Sequence, residues 1–385
     1  MADAALGDNR RALIAIIAAA TIMAVSLSLS IPLVSLNLER WGYGSDVIGL
    51  MGSLPALAFL FISPVLPALT RFFGSGVMLW SSLLLGAVSI WALSLSDNIY
   101  FWFFLRLMIG MSMAVLFMIS ETWLNKIADE KSRGRTVAIY VSSLTLGFAF
   151  GPILINFIGA EGSLPFVISA LIVLCGGLAF LPVGNQFPDL GEKGSYSIFS
   201  FVKIAPMISA ATILVAFFDG SVLTLLPVYG IKNGQLLETS VLMTSALLAG
   251  NVLLQVPIGW LADKFDRTRV ILGCGIVGVL GALILPFVVL EPYLLWPLLV
   301  IWGGGVVGTY TIALVVMGQV FKGGDLITAT AAVNMLWGLG GLFGPAIAGT
   351  AMEVYEPHGM PLTFAAACAI FVLVAALSLR RVGKA

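Results

Sequence analysis

The sequence predicts an all-α membrane protein with twelve transmembrane helices arranged as two pseudo-symmetric six-helix bundles. Three observations predict this fold class: extreme hydrophobicity, apolar runs long enough to cross a bilayer, and an internal repeat at half the chain length. Hydrophobic residues make up 60% and charged residues 10% of the 385 positions, and the mean hydropathy is +1.07. Soluble domains carry about 25% charged residues, so this chain cannot cover itself with a surface compatible with water.

The apolar runs predict helices rather than barrel strands. A helix needs about 20 residues to cross the ~30 Å hydrocarbon core, whereas barrel strands show short alternating patterns. The first run exceeds the 7–15 or so apolar residues of a signal peptide, so we expect it to be retained as a span. Turn-rich breaks separate twelve runs, at residues 12–36, 46–69, 76–95, 99–121, 136–159, 164–183, 203–229, 240–262, 270–290, 293–317, 326–350 and 361–379.

The basic residues predict which way the spans run. Cytoplasmic loops carry an excess of Lys and Arg, and placing both termini in the cytoplasm puts nearly every basic residue on that side. Among the 19 basic residues, Arg40 and Lys232 fall outside and Arg106 falls within a span. We therefore expect a multi-pass protein of the cell inner (plasma) membrane with cytoplasmic N- and C-termini.

An internal repeat divides the chain into halves. Gly151-Pro152 recurs as Gly344-Pro345, and Gly110 recurs as Gly303, each 193 positions further on. Repetition at half the chain length indicates a duplicated unit, and many secondary transporters are built from parallel repeats. We expect an N-terminal six-helix bundle at 1–183, a cytoplasmic linker at 184–200 and a C-terminal six-helix bundle at 201–385.

The segment between spans eight and nine carries the most specific motif. It resembles the G-x-x-x-D-[RK]-x-G-[RK]-[RK] signature of the major facilitator superfamily, with Asp266 where the family usually has Gly. Gly259 is expected to permit close approach of two helices, and Asp263 to bind cationic or helix N-terminal partners. The resemblance implies a cytoplasmic latch, with an ordinary charged turn as the alternative. The segment reads Gly259-x-x-x-Asp263-Lys264-x-Asp266-Arg267-x-Arg269.

Spans four and five carry further motifs of the same superfamily. Arg106-x-x-x-Gly110 resembles its R-x-x-x-G motif, and Gly147-x-x-x-Gly151-Pro152 resembles its antiporter-associated motif. Charged residues inside a membrane usually face a cavity or a partner. Arg106 is therefore a candidate for substrate or proton coupling. The alternatives are a structural contact to backbone carbonyls and a side chain that snorkels toward the outer surface. The glycines predict a tight helix contact.

The inner end of span four indicates a branch of the superfamily. Glu121, followed by Arg133 and Arg135, resembles the corresponding loop of YcaD-like facilitators. We expect these three residues to act in gating rather than in substrate contact. The resemblance as a whole points to a YcaD-like, drug–proton antiporter-like transporter and covers the full chain.

Asp219 is the candidate proton carrier because it lies near the middle of span seven. Burial disfavours the charged form of a carboxylic acid. An Asp whose ionisation differs between inward and outward states would couple proton movement to solute movement. The alternative is a structural Asp that stays protonated and hydrogen-bonded.

Several polar side chains in the spans are candidates for lining a substrate cavity. Each has an interhelical hydrogen bond as its alternative role. Two of them, in span eight, are four positions apart and should share one helix face. The candidates are Tyr140, Asn251, Gln255, Tyr310, Asn334 and Trp337.

These features predict a secondary transporter that moves a small solute by alternating access, with proton-coupled export favoured. Uptake by symport or facilitated diffusion is the alternative, and a non-transporting receptor is a remote one. The sequence has no phosphate-binding G-x-x-x-x-G-K-[ST] loop, one His and three scattered Cys. We therefore expect no enzyme activity, cofactor, metal site or nucleic-acid partner. The expected partners are a small molecule, protons and membrane lipids, and the expected state is a monomer.

Overall fold

The structure, a computed structural model, describes residues 2–127, 133–183, 187, 198–321 and 324–382. These residues form helices, and no β-strand occurs among them. Twelve of the helices are long and apolar enough to cross a membrane. The predicted span count is therefore confirmed, and the observed helices extend several residues beyond most of the predicted limits because their polar ends continue past the apolar runs.

The connections between consecutive helices are short except between α6 and α7, where Leu178 and Ile198 are twenty positions apart. Spans one to six correspond to α1–α6, and spans seven to twelve correspond to α8–α13. The helices are α1 (Ala2–Arg40), α2 (Ser45–Phe73), α3 (Ser75–Ala92), α4 (Ile99–Ile127), α5 (Arg133–Ile158), α6 (Leu164–Leu178), α7 (Ile198–Ile204), α8 (Pro206–Lys232), α9 (Leu237–Lys264), α10 (Arg267–Val288), α11 (Pro292–Val320), α12 (Gly324–Val354) and α13 (Gly359–Val382).

Local sequence explains two of the sharpest connections. Gly74 alone separates α2 from α3, with φ at 84°, a left-handed conformation that glycine adopts at little cost. Asp266 lies between α9 and α10, and its carboxylate accepts a hydrogen bond from the backbone N–H of Arg269 at 3.0 Å. An N-cap of this kind satisfies a donor that the first helical turn leaves free.

The chain forms two compact units. The first contains Met1–Val34 and Leu54–Glu192, and the second contains Ser35–Ser53 and Lys193–Ala385. The end of α1 and the start of α2 thus belong to the second unit. The predicted limits of the duplicated segments, at 183 and 201, stay a prediction.

Each unit contains the same glycine contacts, which supports the duplication. In the first unit, a Cβ added at Gly147 of α5 would lie 2.6 Å from the carbonyl oxygen of Thr21 in α1. In the second, a Cβ at Gly340 of α12 would lie 2.5 Å from the carbonyl oxygen of Ile213 in α8. Both members of the second pair lie 192 or 193 positions after their counterparts, so the helix pair α5–α1 is repeated as α12–α8.

Two further contacts repeat in the same way. Gly151 meets α1 at Val25, and Gly344 meets α8 at Phe217. A third pair joins other helices: Gly110 of α4 contacts Pro55 of α2, and Gly303 of α11 contacts Leu247 of α9. Close approach of backbones at small residues is typical of membrane helix packing, and here it fixes the same crossings in both units.

An aromatic cluster forms the centre of the second unit. The rings of Phe218, Trp302 and Phe364 lie with centroids 4.9 to 5.6 Å apart, in the edge-to-face arrangements that aromatic pairs favour. The indole N–H of Trp302 donates to the carbonyl oxygen of Gly278 at 3.0 Å. This cluster joins α8, α10, α11 and α13 and fixes the rotation of α8, the helix that carries Asp219.

Candidate functional site

Asp219 lies at the midpoint of α8, next to the aromatic cluster. The preceding residue, Phe218, is fully buried against Trp302 and Phe364. A Cβ added at the following residue, Gly220, would contact the ring of Pro345 in α12 at 3.4 Å. One oxygen of the Asp219 carboxyl is buried and has no hydrogen-bond partner among the described residues. A buried oxygen left in this way is exceptional, and the role of Asp219 in proton transfer stays a prediction.

Arg106 is an ionisable side chain in a membrane helix of the first unit, as Asp219 is in the second. Its side chain is 1% exposed, and neither Nε nor Nη1 has a hydrogen-bond partner within the described structure. The expected alternative, a structural contact to backbone carbonyls, therefore fails for these two nitrogens. Buried donors without partners are unfavourable, and the role of Arg106 in substrate or proton coupling stays a prediction.

Glu121 and Tyr140, predicted for gating and for the cavity, come together in the first unit. The Tyr140 side chain is 3% exposed, its hydroxyl is buried and unbonded among the described residues, and it lies within electrostatic reach of the Glu121 carboxylate. The two residues, on α4 and α5, are therefore near enough to interact electrostatically, and their roles in gating and substrate contact stay predictions. The side chains of Arg133 and Arg135 lie outside the described part of the structure.

The remaining cavity candidates, all in the second unit, form two contacting pairs and one separate residue. In α9, the side-chain amide of Gln255 donates to Asn251 at 2.9 Å, so the predicted shared face is observed. The rings of Tyr310 in α11 and Trp337 in α12 lie with centroids 5.3 Å apart. Asn334 is exposed on the second unit. Their role in substrate contact stays a prediction.

The signature segment after α9 differs in detail from what its residues suggested. No described atom lies within 4 Å of a Cβ added at Gly259, so the expected close helix approach does not occur there. Asp263 is exposed and lies 3.6 Å from the guanidinium of Arg267, a cationic partner as expected. The helix N-terminus is instead capped by Asp266, because Asp266 directly precedes α10. Lys264 lies 4.2 Å above the ring of Trp260.

A charged cluster that the sequence reasoning missed lies in the second unit. The ammonium of Lys232, at the end of α8, lies 3.6 Å from Glu39 of α1 and hydrogen-bonds Glu356. Glu353 of α12 accepts the backbone N–H of Ser45 at 2.7 Å. We call Glu39, Lys232, Glu353 and Glu356 the Lys232 cluster. One signal could have found it: Lys232 is among the few basic residues on the side predicted to lack them.

The backbone packing beneath the Lys232 cluster is unusually close. A Cβ added at Gly49 of α2 would lie 2.1 Å from the carbonyl oxygen of Pro345 in α12, and one at Gly349 would lie 2.4 Å from the carbonyl oxygen of Ser45. The hydroxyl oxygen of Ser53 accepts the backbone N–H of Ala346 at 3.1 Å. The corner between α1 and α2 is thus held on α12 by backbone contact and on α8 by charge.

Comparison with known proteins decides the family. The family model of the Major Facilitator Superfamily matches residues 14–236 and 208–384. The chain belongs to the major facilitator superfamily. The resemblance that its motifs indicated is thereby confirmed, and the two matches together cover both units. Members of this superfamily are transporters, so the chain is a membrane transporter and not an enzyme.

Relatives within the superfamily support the YcaD-like assignment. YfkF of Bacillus subtilis (strain 168), an uncharacterized MFS-type transporter, is 26% identical over 342 residues, covering 87% of each chain. YcaD of Salmonella typhi, also an MFS-type transporter, is 25% identical over 285 residues, covering 74% of this chain and 73% of its own.

Solved structures of superfamily members share the fold. The nucleoside transporter NupG superposes with a TM-score of 0.77 at 14% identity, covering 95% of this chain and 99% of its own. A bacterial homologue of the lysosomal transporter Spinster superposes with a TM-score of 0.73 at 14% identity, covering 94% of each chain. At this identity the likeness concerns the fold alone.

Proposed function

We propose that this chain is a secondary active transporter that exports a small solute across the inner membrane by alternating access, driven by protons. Membership of the superfamily supports the transport part of this proposal. The observation that supports the proton part is the Asp219 carboxyl, which has a buried and unbonded oxygen at the midpoint of a membrane helix. The Asp219 carboxyl also supports protons as the energy source, because the sequence carries no nucleotide-binding loop through which ATP would drive transport.

In the proposed cycle, Asp219 gains and loses a proton as its access to water changes. A buried carboxyl stays neutral because its ionised form lacks compensation. A carboxyl exposed to water on the cytoplasmic side releases its proton. When solute binding and protonation of Asp219 exclude one another, their binding free energies are coupled. Each conformational cycle then moves a solute in one direction and a proton in the other.

The Lys232 cluster supplies a contact that such a cycle can make and break. It joins the α1–α2 corner to α8 and α12 through one ammonium and several carboxylates. Ion pairs of this kind contribute about 1 kcal/mol or less when near the surface, so they can open at low cost. In the predicted orientation the cluster lies on the outer side, and we infer that it opens in the outward-facing state.

Export is favoured over uptake by the Gly147-x-x-x-Gly151-Pro152 segment, which resembles the antiporter-associated motif. The structure places both glycines against α1, so the motif acts in helix packing. Antiport and symport would use the same fold, and the sign of proton movement separates them.

The test uses the purified chain in liposomes that contain a pH-sensitive dye. Solutes that raise its thermal stability in detergent are first selected, because binding to the native state stabilises it. A gradient of a selected solute is then imposed. Antiport predicts that solute entry drives proton exit, so the lumen becomes alkaline whichever way the protein is inserted.

Other outcomes contradict the proposal in distinct ways. Acidification of the lumen would mean symport, and solute movement without a pH change would mean facilitated diffusion. Binding without solute movement would mean a receptor. The variant Asp97→Asn, which alters an exposed carboxylate in the connection before α4, is the matched control and should behave as the parent chain.

A further inference from the structure

We propose that the second unit binds one anionic phospholipid in a groove between α9, α10 and α11. The acyl chain would lie in the groove and the phosphate would bind Arg269. This site lies beside the signature segment, does not include Asp219 or Arg106, and does not depend on which solute is carried.

The groove has the dimensions of a lipid chain in one leaflet. Its volume is about 440 Å³ and its wall is almost entirely apolar, with Leu254, Val277 and Ile301 contributed by the three helices. Its lining on the α9 side runs from Leu254 to Phe265, eleven positions or roughly 16 Å at 1.5 Å per residue. One leaflet of a ~30 Å hydrocarbon core is about 15 Å deep.

Glycine keeps the groove open. Gly273 of α10 lines it, and no described atom lies within 4 Å of a Cβ added there. A large side chain at this position would therefore extend into open space along the wall of the groove. Ile301 on the opposite wall is 52% exposed, so the groove opens on the surface of the unit.

The guanidinium of Arg269 lies at one end of the groove. Arg269 lines the groove and is exposed. The two nearby acids are engaged elsewhere: Asp266 accepts the backbone N–H of Arg269, and Asp263 lies beside Arg267. Among the described residues the Arg269 side chain has no carboxylate partner. A guanidinium binds phosphate through paired hydrogen bonds, so an anionic headgroup would complete this site.

Neighbouring residues place the same end of the groove at the membrane boundary. Trp260 is 55% exposed and carries Lys264 over its ring at 4.2 Å. Exposed tryptophan beside lysine is typical of the headgroup level. The cationic choline or ethanolamine of a zwitterionic lipid would lie close to Lys264 and Arg267, and this repulsion favours a lipid whose headgroup carries net negative charge.

A second groove in the first unit shows what the cation adds. It lies between α3 and α6, has a volume of about 230 Å³ and is lined by apolar residues only, among them Leu84, Trp91 and Leu174. Such a groove can accept an acyl chain but offers no charged group to select a headgroup. The Arg269 groove differs because it combines an apolar wall with a cation that has no carboxylate partner in the described part of the chain.

The test measures lipid binding by native mass spectrometry of the full chain released from detergent. Dioleoyl phosphatidylglycerol, dioleoyl phosphatidylcholine and soluble glycerol phosphate are titrated in parallel. We expect one preferential site for phosphatidylglycerol, weaker phosphatidylcholine binding and no glycerol phosphate binding. Arg269→Gln should raise the apparent Kd for phosphatidylglycerol about fivefold, the effect of removing one basic residue at a membrane surface.

Matched variants separate the groove from general surface effects. Gly273→Leu fills the groove and should also weaken phosphatidylglycerol binding, whereas Gly318→Leu, at a position with equally open space in α11, should not. Arg71→Gln removes an exposed cation in the first unit and should not either. Unchanged binding in both Arg269→Gln and Gly273→Leu, or equal affinity for the two lipids, would overturn the proposal. If Gly273→Leu does not fold, Arg269→Gln alone decides.

Discussion

Arg106 shows at the scale of one residue how a functional group departs from the rules of folding. Arg106 is the eighth residue of the 29-residue helix α4. Insertion scales give about 2.5–3.5 kcal/mol as the cost of an Arg at the centre of a membrane helix, which is the upper bound for this position. Here two nitrogens of a 1% exposed guanidinium remain unbonded in the described structure. A residue kept at such a cost to stability is expected to serve function, since natural proteins accept strain mainly at their functional sites.

Replacing Arg106 tests this interpretation. Arg106→Met keeps much of the side-chain volume and removes the charge, so thermal stability in detergent should be unchanged or higher. Solute-dependent proton movement should be lost. A marked fall in Tm together with retained transport would mean that Arg106 is a structural residue. Arg71→Gln, at an exposed position, is the control for loss of a cation.

Lys232 allows a second prediction at this scale. With the three native cysteines replaced by serine, Ser45→Cys places a thiol at a position that is 0% exposed beside Glu353. Lys232→Gln leaves the carboxylates of the Lys232 cluster without their cation, so the corner between α1 and α2 should open more often. A membrane-impermeant maleimide should then label the thiol about fivefold faster, a shift near 1 kcal/mol.

The maleimide experiment has a clear contrary result. Equal labelling rates in the Lys232→Gln and parent backgrounds would show that the ion pairs do not hold the corner closed. The Arg71→Gln background, which leaves the Lys232 cluster intact, should label at the parent rate.

At the scale of helices, glycine contacts determine which elements pair. Gly151 and Gly344 lie at equivalent positions of the repeat, and each brings a helix against the backbone of its neighbour. The G-x-x-x-G-P segment therefore has a packing role in the two units, whatever it contributes to export. The spacing of these glycines in the sequence predicts the same role.

Alanine at these glycines should destabilise the chain. A Cβ at Gly151 would lie 2.6 Å from the carbonyl oxygen of Val25, and one at Gly344 would lie 2.5 Å from that of Phe217. Backbone must shift to admit it, so Gly151→Ala and Gly344→Ala should each cost about 1–3 kcal/mol in thermal unfolding. Gly318→Ala, in open space, should be neutral. Full stability of the first two variants would contradict the tight crossings.

Sequence patterns predicted the helices and their pairing better than the charged contacts. Hydrophobic runs and the repeat of glycines are local or periodic signals, so they predicted twelve spans and the duplicated unit. The Lys232 cluster joins residues from α1, α8 and α12 that are hundreds of positions apart, and no local pattern links them. At Gly259 the motif predicted a helix contact that the structure does not contain, because a small residue permits close approach without requiring it.

At the scale of the whole molecule, the distribution of basic residues predicts the direction of insertion. Fluorescent-protein fusions should be bright after Ala385 and dark at Glu161, between α5 and α6, while alkaline phosphatase fusions should give the opposite pattern. This result is expected because basic loops are retained in the cytoplasm. The reverse pattern would place the Lys232 cluster inside and the Arg269 groove in the outer leaflet.

Internal duplication gives the molecule two units with the same helix crossings but different buried charges. The first carries Arg106 with Glu121 and Tyr140, and the second carries Asp219. Packing residues were thus kept in both halves, while the ionisable groups diverged. Such divergence on a repeated scaffold is what a carrier needs in order to handle a proton and a solute with distinct groups.

Proton movement by the Asp219→Asn variant tests the central claim most directly. The variant is reconstituted in liposomes and given a gradient of a solute selected by thermal shift. It should still bind that solute and exchange it across the membrane, because the substitution is expected to preserve the fold. It should release no protons on solute entry. Asp219→Glu should show part of the parent's proton release, and the control Asp97→Asn should show all of it. Proton release by Asp219→Asn at the parent rate would contradict the account.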